Sequence, residues 1–153
     1  MVITGRVVGE DGKPRADVIV YAYHTDAHGI YRAPAVSLGR WPDRHGALRG
    51  WARSDAQGQY TFETIRPASY PDRTIPAHVH MHVIEPGCAT YYIDEIRFTD
   101  DPLLTAAQRS GEEARGGGGI TTPARAGDGK AWRVVRDISL GRAVPGYPHC
   151  VSK

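Results

Sequence analysis

Short stretches of alternating apolar and polar residues, separated by clusters of Gly, Pro, Asp and Ser, run through most of the chain. Val2 to Val8 is β-branched and alternates loosely, and the turn-rich run Gly9-Glu10-Asp11-Gly12-Lys13-Pro14 follows it. That pattern predicts a strand and a turn. From Asp17 to Tyr23, Val18, Val20 and Ala22 share one face and Ile19, Tyr21 and Tyr23 the other, which predicts a strand buried on both sides. Periodicity vanishes from His24 to Gly50, and a loop of that length in a compact domain is uncommon unless it carries a function or is disordered. Trp51 to Ser54 and Tyr60 to Ile65 flank the turn sequence Asp55-Ala56-Gln57-Gly58-Gln59, which reads as a hairpin. Two more strands are expected over residues 76–85 and 89–98. In the second, Tyr91, Ile93, Glu95 and Arg97 fall on one face by simple alternation, opposite Tyr92, Asp94, Ile96 and Phe98.

A single short helix is predicted over residues 101–109, with Asp101 as its cap and Pro102 in its first turn. Gly116 to Gly119 and the polar run to Lys130 read as a mobile connection, because the strand–glycine–helix context of a phosphate-binding loop is missing. Trp132 to Leu140 supplies the last strand, and an irregular tail follows. Many short strands with Gly, Asp and Pro turns predict an all-β fold, an antiparallel β-sandwich of about seven to eight strands with long loops. The sequence reads as one domain over residues 1–153.

Composition narrows the partners. Nineteen Lys and Arg against 17 Asp and Glu give a net charge of +2 with no block of like charge, which predicts no nucleic-acid partner. No apolar run approaches a membrane span, and the first residues lack the features of a signal peptide, so no membrane association and a cytoplasmic location are expected. In that setting Cys88 and Cys150, far apart in sequence, are expected as free thiols.

The chemistry concentrates at Tyr70-Pro71-Asp72-Arg73-Thr74-Ile75-Pro76-Ala77-His78-Val79-His80, followed by Met81 and His82. On a strand, His78, His80 and His82 project from one face while Val79, Met81 and Val83 pack on the other. Two readings fit this alternation: imidazoles aligned to bind a metal, or the ordinary wet face of a half-buried sheet.

Two resemblances bear on the choice. Gly5-Arg6-Val7-Val8, Gly12-Lys13-Pro14 and Ser54 to Phe62 resemble small transthyretin-like sandwich modules, most of which catalyse nothing. His28-Gly29-Ile30-Tyr31-Arg32, then Thr64 to Pro71, then Pro76-Ala77-His78-Val79-His80 closely resemble the active-site motifs of the intradiol ring-cleavage dioxygenases, nearest to the protocatechuate 3,4-dioxygenase branch. That resemblance implies a non-haem Fe(III) cofactor held by Tyr31, Tyr70, His78 and His80, with Tyr70 as the axial ligand and candidate base. It implies insertion of both atoms of O2 between the hydroxylated carbons of a catechol-like substrate, giving a cis,cis-muconate-type diacid. Two phenolates and two imidazoles form a donor set that suits ferric iron better than a structural zinc site.

Two departures from the family stand out. Ile75 occupies the position where the resemblance implies an arginine, and Arg73, Arg49 or Arg53 would have to replace its charge. Glu95 stands where the family carries a glutamine, which makes it a candidate proton donor or acceptor. Tyr23 falls at a position often held by tryptophan, beside the pocket wall. His82 is expected near the site without being a ligand, and His24 and His28 on the surface of the Tyr31 loop. The chain is shorter than most of the family, so its oligomeric state is not transferred, and a homo-oligomer is compatible with it. The alternatives are an iron oxygenase of the same fold that acts on another phenol or enol without intradiol cleavage, and a non-catalytic sandwich module.

Overall fold

A computed structural model describes residues 1–127 and 129–147. Its strands, in chain order, are β1 (Val2–Val8), β2 (Ile19–His24), β3 (Arg49–Arg53), β4 (Gln59–Glu63), β5 (His78–Ile84), β6 (Tyr91–Phe98), β7 (Ile120–Thr121), β8 (Ala124–Arg125), β9 (Trp132–Val135) and β10 (Ile138–Ser139). They form two five-stranded sheets: β10, β1, β9 and β8 in order with β4 also on β1, and β3-β2-β5-β6-β7. The all-β sandwich expected from the pattern is present. Its pairing is mixed, because β1 runs parallel to β9 and β10, and β6 parallel to β7.

Alternation builds the core. Ile3 and Val7 from β1, Val20 from β2, Val79, Met81 and Val83 from β5, Ile93, Ile96 and Phe98 from β6, and Val134 and Ile138 are all buried between the sheets. Burial of each such side chain contributes about 1.5–3 kcal/mol. On β2 and β5 the opposite faces are half-buried and carry Tyr21 and Tyr23, and His80 and His82, so β2 is not buried on both sides.

Several local expectations fail for physical reasons. β3 and β4 do not form a hairpin: β3 pairs with β2 and β4 with β1, so the tight turn at Asp55–Gln59 carries the chain from one sheet to the other. The Asp101 carboxylate does not cap a helix; it accepts from the N–H of Leu103 and of Ala77, both at 2.8 Å. The helix begins later, at α2 (Ala106–Ser110), where Thr105 and Gln108 form a reciprocal capping box. A second short helix, α1 (Arg40–Arg44), interrupts the long loop.

Gly116 to Gly119 is a packed segment and not a mobile one. A Cβ at Gly116 would lie 2.9 Å from Ile93, and one at Gly119 would lie 1.9 Å from the Glu95 carbonyl oxygen. The Glu112 carboxylate accepts from the N–H of both Gly119 and Ile120.

Cys88 is disulfide-bonded and not a free thiol; Cys150 lies outside the described residues. The C-terminal segment returns to the β5–β6 turn that carries Cys88: Tyr147 packs edge-on against Tyr91 and donates to Glu85 at 3.2 Å. Sequence separation hides that proximity. Cysteine usage therefore gives no support to a reducing compartment. No helix among the described residues is long and apolar enough to cross a membrane.

β6 breaks its own alternation. Val79 pairs with Ile96, but Met81 pairs with Ile93, so two residues, Asp94 and Glu95, stand opposite His80 alone. This is a β-bulge. It keeps Tyr91, Ile93, Ile96 and Phe98 in the core and turns Tyr92, Glu95 and Arg97 to the histidine face.

The loops that carry Tyr31 and Tyr70 are docked on each other. Asp26 accepts from the N–H of His28 at 2.8 Å and of Ile30 at 3.0 Å, and pairs with Arg32 at 2.6 Å. The Ile30 hydrogen bond leads the influences that bring its carboxyl down to about 2, against the opposing effect of desolvation. Asp26 and Thr25 also reach the other loop, through Ala68 N–H to the Asp26 carbonyl at 3.1 Å and the Thr25 hydroxyl to the Ala68 carbonyl at 2.8 Å. At the contact, Gly29 has φ +78°, and a Cβ there would lie 2.0 Å from the Ser69 carbonyl oxygen. Gly29→Ala is therefore expected to push the two loops apart. A crystal structure of the variant should show the Tyr31 and Tyr70 hydroxyls separated beyond their present 3.4 Å, and an unchanged spacing would refute this.

His24 is buried, with Nδ1 2.7 Å from the Thr25 carbonyl and Nε2 2.8 Å from the Thr64 hydroxyl. Burial pushes its pKa down, as it does for His78. The unfolded chain then binds protons first, so stability is full above a pH of about 6.5 and declines as pH falls below it. Urea unfolding of the metal-free protein at several pH values should show that slope, reduced in His24→Gln.

Candidate metal centre

β5 ends its core-facing alternation with three imidazoles on the opposite face, as its pleat requires. The hydrogen bonds at the far side of two of them fix their tautomers. His78 Nδ1 lies 2.8 Å from the Pro76 carbonyl, which only accepts, so Nδ1 carries the proton. His80 Nδ1 lies 3.3 Å from the Glu95 carboxylate, which orients that ring the same way. In neutral rings both Nε2 atoms are then the acceptors, and they face each other at 3.1 Å.

The two tyrosines complete the cluster. Tyr70 Oη lies 3.4 Å from His78 Nε2, and Tyr31 Oη lies 3.4 Å from Tyr70 Oη. With bonds of about 2.0–2.1 Å to a central ion, neighbouring donors of a four- to six-coordinate shell sit ~2.8–3.4 Å apart. The donor spacings fall in that range. Burial, followed by the hydrogen bond and charge of Tyr70, pushes the Tyr31 phenol far above its usual value. Ionising it in place requires a cation.

Glu95 is buried enough that desolvation would raise its pKa, yet hydrogen bonds from His80 and Arg97 and the charge of His78 hold it down at about 2. His78, His80 and Glu95 together satisfy the proximity expected of three metal ligands, within 4.8 Å. The Glu95 carboxylate, however, sits on the Nδ1 side of His80, away from the facing Nε2 pair. It is better placed to hold the ring than to join the same ion.

Around the centre the sheet face is aromatic. Tyr23, opposite His80 in register, stacks on its ring at 4.6 Å, and burial raises its phenol to about 12. His45, from the loop, stacks on Tyr23 at 3.9 Å and lies 2.7 Å from the Tyr21 hydroxyl. His82 packs edge-on against Tyr92 at 5.8 Å and belongs to the wall and not the ligand cluster. Behind β5, on the core side, a separate cleft is lined by His24, Leu48, Phe62, Thr64 and Val79.

The expected arginines are placed unequally. Arg73 is exposed in a left-handed turn, φ +55°. Arg53 is exposed and faces Asp17 at 3.6 Å. Arg49 is bonded to the loop carbonyls of Pro42 and Gly46, at 2.6 and 2.5 Å. Arg97, which sequence reasoning left out, pairs with Glu95 at 2.8 Å on the histidine face. Its position two residues after Glu95 was the available signal. His45 had none, because its loop is aperiodic. His24 is buried and bonded away from the cluster, contrary to the surface placement expected of it, and His28 is exposed.

A family model described as a dioxygenase matches residues 1–115. The protocatechuate 3,4-dioxygenase beta chain of Burkholderia cepacia is 31% identical over 109 residues, covering 68% of this chain and 46% of that protein. Catechol 1,2-dioxygenase 2 of Acinetobacter lwoffii is 31% identical over 125 residues, covering 68% of this chain and 42% of its own length. The chain thus spans less than half the length of these relatives. Among solved structures, catechol 1,2-dioxygenase from Pseudomonas arvilla C-1 shares the fold at TM-score 0.67 and 21% identity, covering 100% of this chain and 55% of that one. The dioxygenase domain of a dioxygenase carbohydrate-binding protein fusion from Streptomyces sp. SirexAA-E does so at TM-score 0.65 and 23% identity, covering 91% of this chain and 77% of that one. With the matching family model over most of its length and these relatives beside it, the chain belongs to the intradiol ring-cleavage dioxygenases.

Proposed function

We propose that this chain is an intradiol dioxygenase: it holds one ferric ion through Tyr31, Tyr70, His78 and His80 and opens a catechol-like ring between its two hydroxylated carbons. The observation that carries this reading is the convergence of the two Nε2 atoms at 3.1 Å with a phenol beside them, while both Nδ1 atoms are engaged elsewhere. Two lone pairs held that close repel unless a cation sits between them, and phenolate with imidazole is a donor set for iron. Iron, when bound, would lower the pKa of a chelated catechol and make it reactive toward O2.

The side chains then have separate tasks. His78 and His80 stay fixed, because Pro76 and Glu95 occupy their outer nitrogens. Tyr31 remains a ligand from the docked loop. Tyr70 would have a dual role: it would help to hold the ion, and as a base it would take a substrate hydroxyl proton and so offset one negative charge as the diol brings its own. Tyr23 and His45 form an aromatic wall that orients a flat ring. Glu95, ionised and shared between His80 and Arg97, is a poor proton donor at neutral pH, so its task is orientation. Arg73 would act only from the solvent side of the site. The substrate is a small aromatic diol together with O2, and assembly into a homo-oligomer is compatible with the chain.

A second reading, oxidation of another phenol or enol by the same iron without intradiol cleavage, is favoured by one feature. Ile75 leaves no arginine before the Pro76-Ala77-His78 run, and Arg97 already shares its charge with Glu95.

Iron-loaded protein should be red-brown from tyrosinate-to-iron charge transfer. Tyr70→Phe should weaken and shift that band, and His80→Ala should lose most of the iron by metal analysis; colourless wild-type protein that takes up no iron overturns the reading. Turnover of a catechol panel under 18O2 separates the two reactions. Intradiol cleavage requires a diacid with both oxygen atoms labelled, and a singly labelled or ring-intact product selects the second.

A further inference from the structure

Arg136 is a cation 2% exposed, and every hydrogen bond from its guanidinium goes to a backbone carbonyl. It stands in the break between β9 and β10, anchored to the first sheet by its N–H to the Thr4 carbonyl at 2.8 Å and by the Tyr60 hydroxyl on its own carbonyl at 2.5 Å. From there its side chain crosses the sandwich. One nitrogen donates to the Gly116 carbonyl at 3.0 Å and the Asp137 carbonyl at 2.6 Å. The other donates to the Arg115 carbonyl at 3.1 Å and the Asp94 carbonyl at 3.2 Å. Among the described residues its Nε has no partner. A buried cation without a hydrogen-bonded carboxylate is costly, and an apolar side chain of similar volume would remove that cost.

Asp94 is the first residue of the β6 bulge, and the second, Glu95, meets His80 Nδ1. In an unbulged strand with Tyr92 on the histidine face, Glu95 would turn toward the core. The other side of the bulge is closed by glycine. A Cβ at Gly119 would lie 1.9 Å from the Glu95 carbonyl oxygen and 3.0 Å from that of Asp94, while the Gly119 carbonyl accepts from Arg97 N–H at 3.1 Å. Arg136 thus holds the bulge from the core, and Gly119 lets the neighbouring segment lie against its backbone.

We propose that Arg136 and Gly119 are positioning residues: they lock the Asp94–Glu95 bulge, which places the Glu95 carboxylate on His80 Nδ1 and so fixes the ring that presents Nε2 to the metal. The proposal rests on the iron reading for its consequence but not for its first step, which is a property of the metal-free protein.

The test uses Arg136→Met, Gly119→Ala and Glu95→Ala, with Arg136→Lys as the conservative replacement and Ile138→Val as a core substitution two residues from Arg136 that leaves its hydrogen-bonding groups in place. 15N NMR of the histidine rings in metal-free protein reports the His80 tautomer. Wild type is expected almost wholly in the Nδ1–H form; Arg136→Met, Gly119→Ala and Glu95→Ala should each give a mixture, and Arg136→Lys should recover part of the preference. Adding Glu95→Ala to Arg136→Met should change the mixture no further. In iron-loaded protein the same variants should shift the charge-transfer band in the direction Glu95→Ala does, with about 10–100-fold weaker iron binding, the usual effect of losing such an outer partner. Ile138→Val should lower the unfolding midpoint and leave tautomer and band alone.

An unchanged tautomer in folded Arg136→Met, or in Gly119→Ala should Arg136→Met not fold, overturns the proposal, as does an equal change in Ile138→Val. If wild-type protein takes up no iron, the functional reading fails while the tautomer measurement still decides this one.

Discussion

Two imidazole Nε2 atoms held 3.1 Å apart, each on a ring whose Nδ1 is engaged elsewhere, are the constraint on which the site depends. Neither could be so placed by β5 alone. The pleat puts His78 and His80 on one face, but each ring could still rotate or exchange tautomer. A backbone carbonyl fixes the first and a carboxylate fixes the second. The sandwich leaves the rings little freedom to part: the strand is pinned by Val79, Met81 and Val83 in the core, and cannot yield without disturbing them. An ion held between these nitrogens would tie the strand to the two tyrosine loops, so binding and local stability would be coupled.

Much of this was legible in the sequence, and the parts that were not have a common cause. The histidine face of β5 follows from period-two alternation, and the structure keeps it over seven residues. The four donor residues are carried by motifs, and their donor atoms do converge. What alternation could not foresee is an inserted residue. The bulge at Asp94–Glu95 changes which side chains of β6 face the histidines, and its cause lies far away in sequence, at Gly119 and Arg136. The hairpin expected around Asp55 failed in the same manner. Turn chemistry predicts a tight reversal correctly, but says nothing about which sheet each flanking strand joins.

Glycine shows how ambiguous local composition is. Four consecutive glycines suggest flexibility when read as a composition. Here Gly116 and Gly119 are required by close approach, to Ile93 and to the Glu95 carbonyl, and Gly29 by the contact of the two tyrosine loops. At Gly29 and Gly119 the missing Cβ lets one backbone lie against another, next to a residue that the site uses, and at Gly116 it makes room for the Ile93 side chain. The segment that looked least ordered is therefore part of the support of the candidate metal centre.

Electrostatics around the centre explain why Ile75 matters. Arg97 is a cation on the histidine face, but Glu95 occupies it with two contacts, at 2.8 and 2.9 Å. Glu95 in turn is bonded to His80, so the three groups form one unit whose charges largely cancel. An arginine held in such a unit cannot also turn to a developing negative charge on a substrate without releasing Glu95 and, through it, His80. Charge neutralisation and ligand orientation thus compete for the same side chain. A separate arginine at position 75 would remove that competition; with isoleucine there, the proposed reaction would leave Tyr70 as the main means of shedding negative charge on binding an anionic diol.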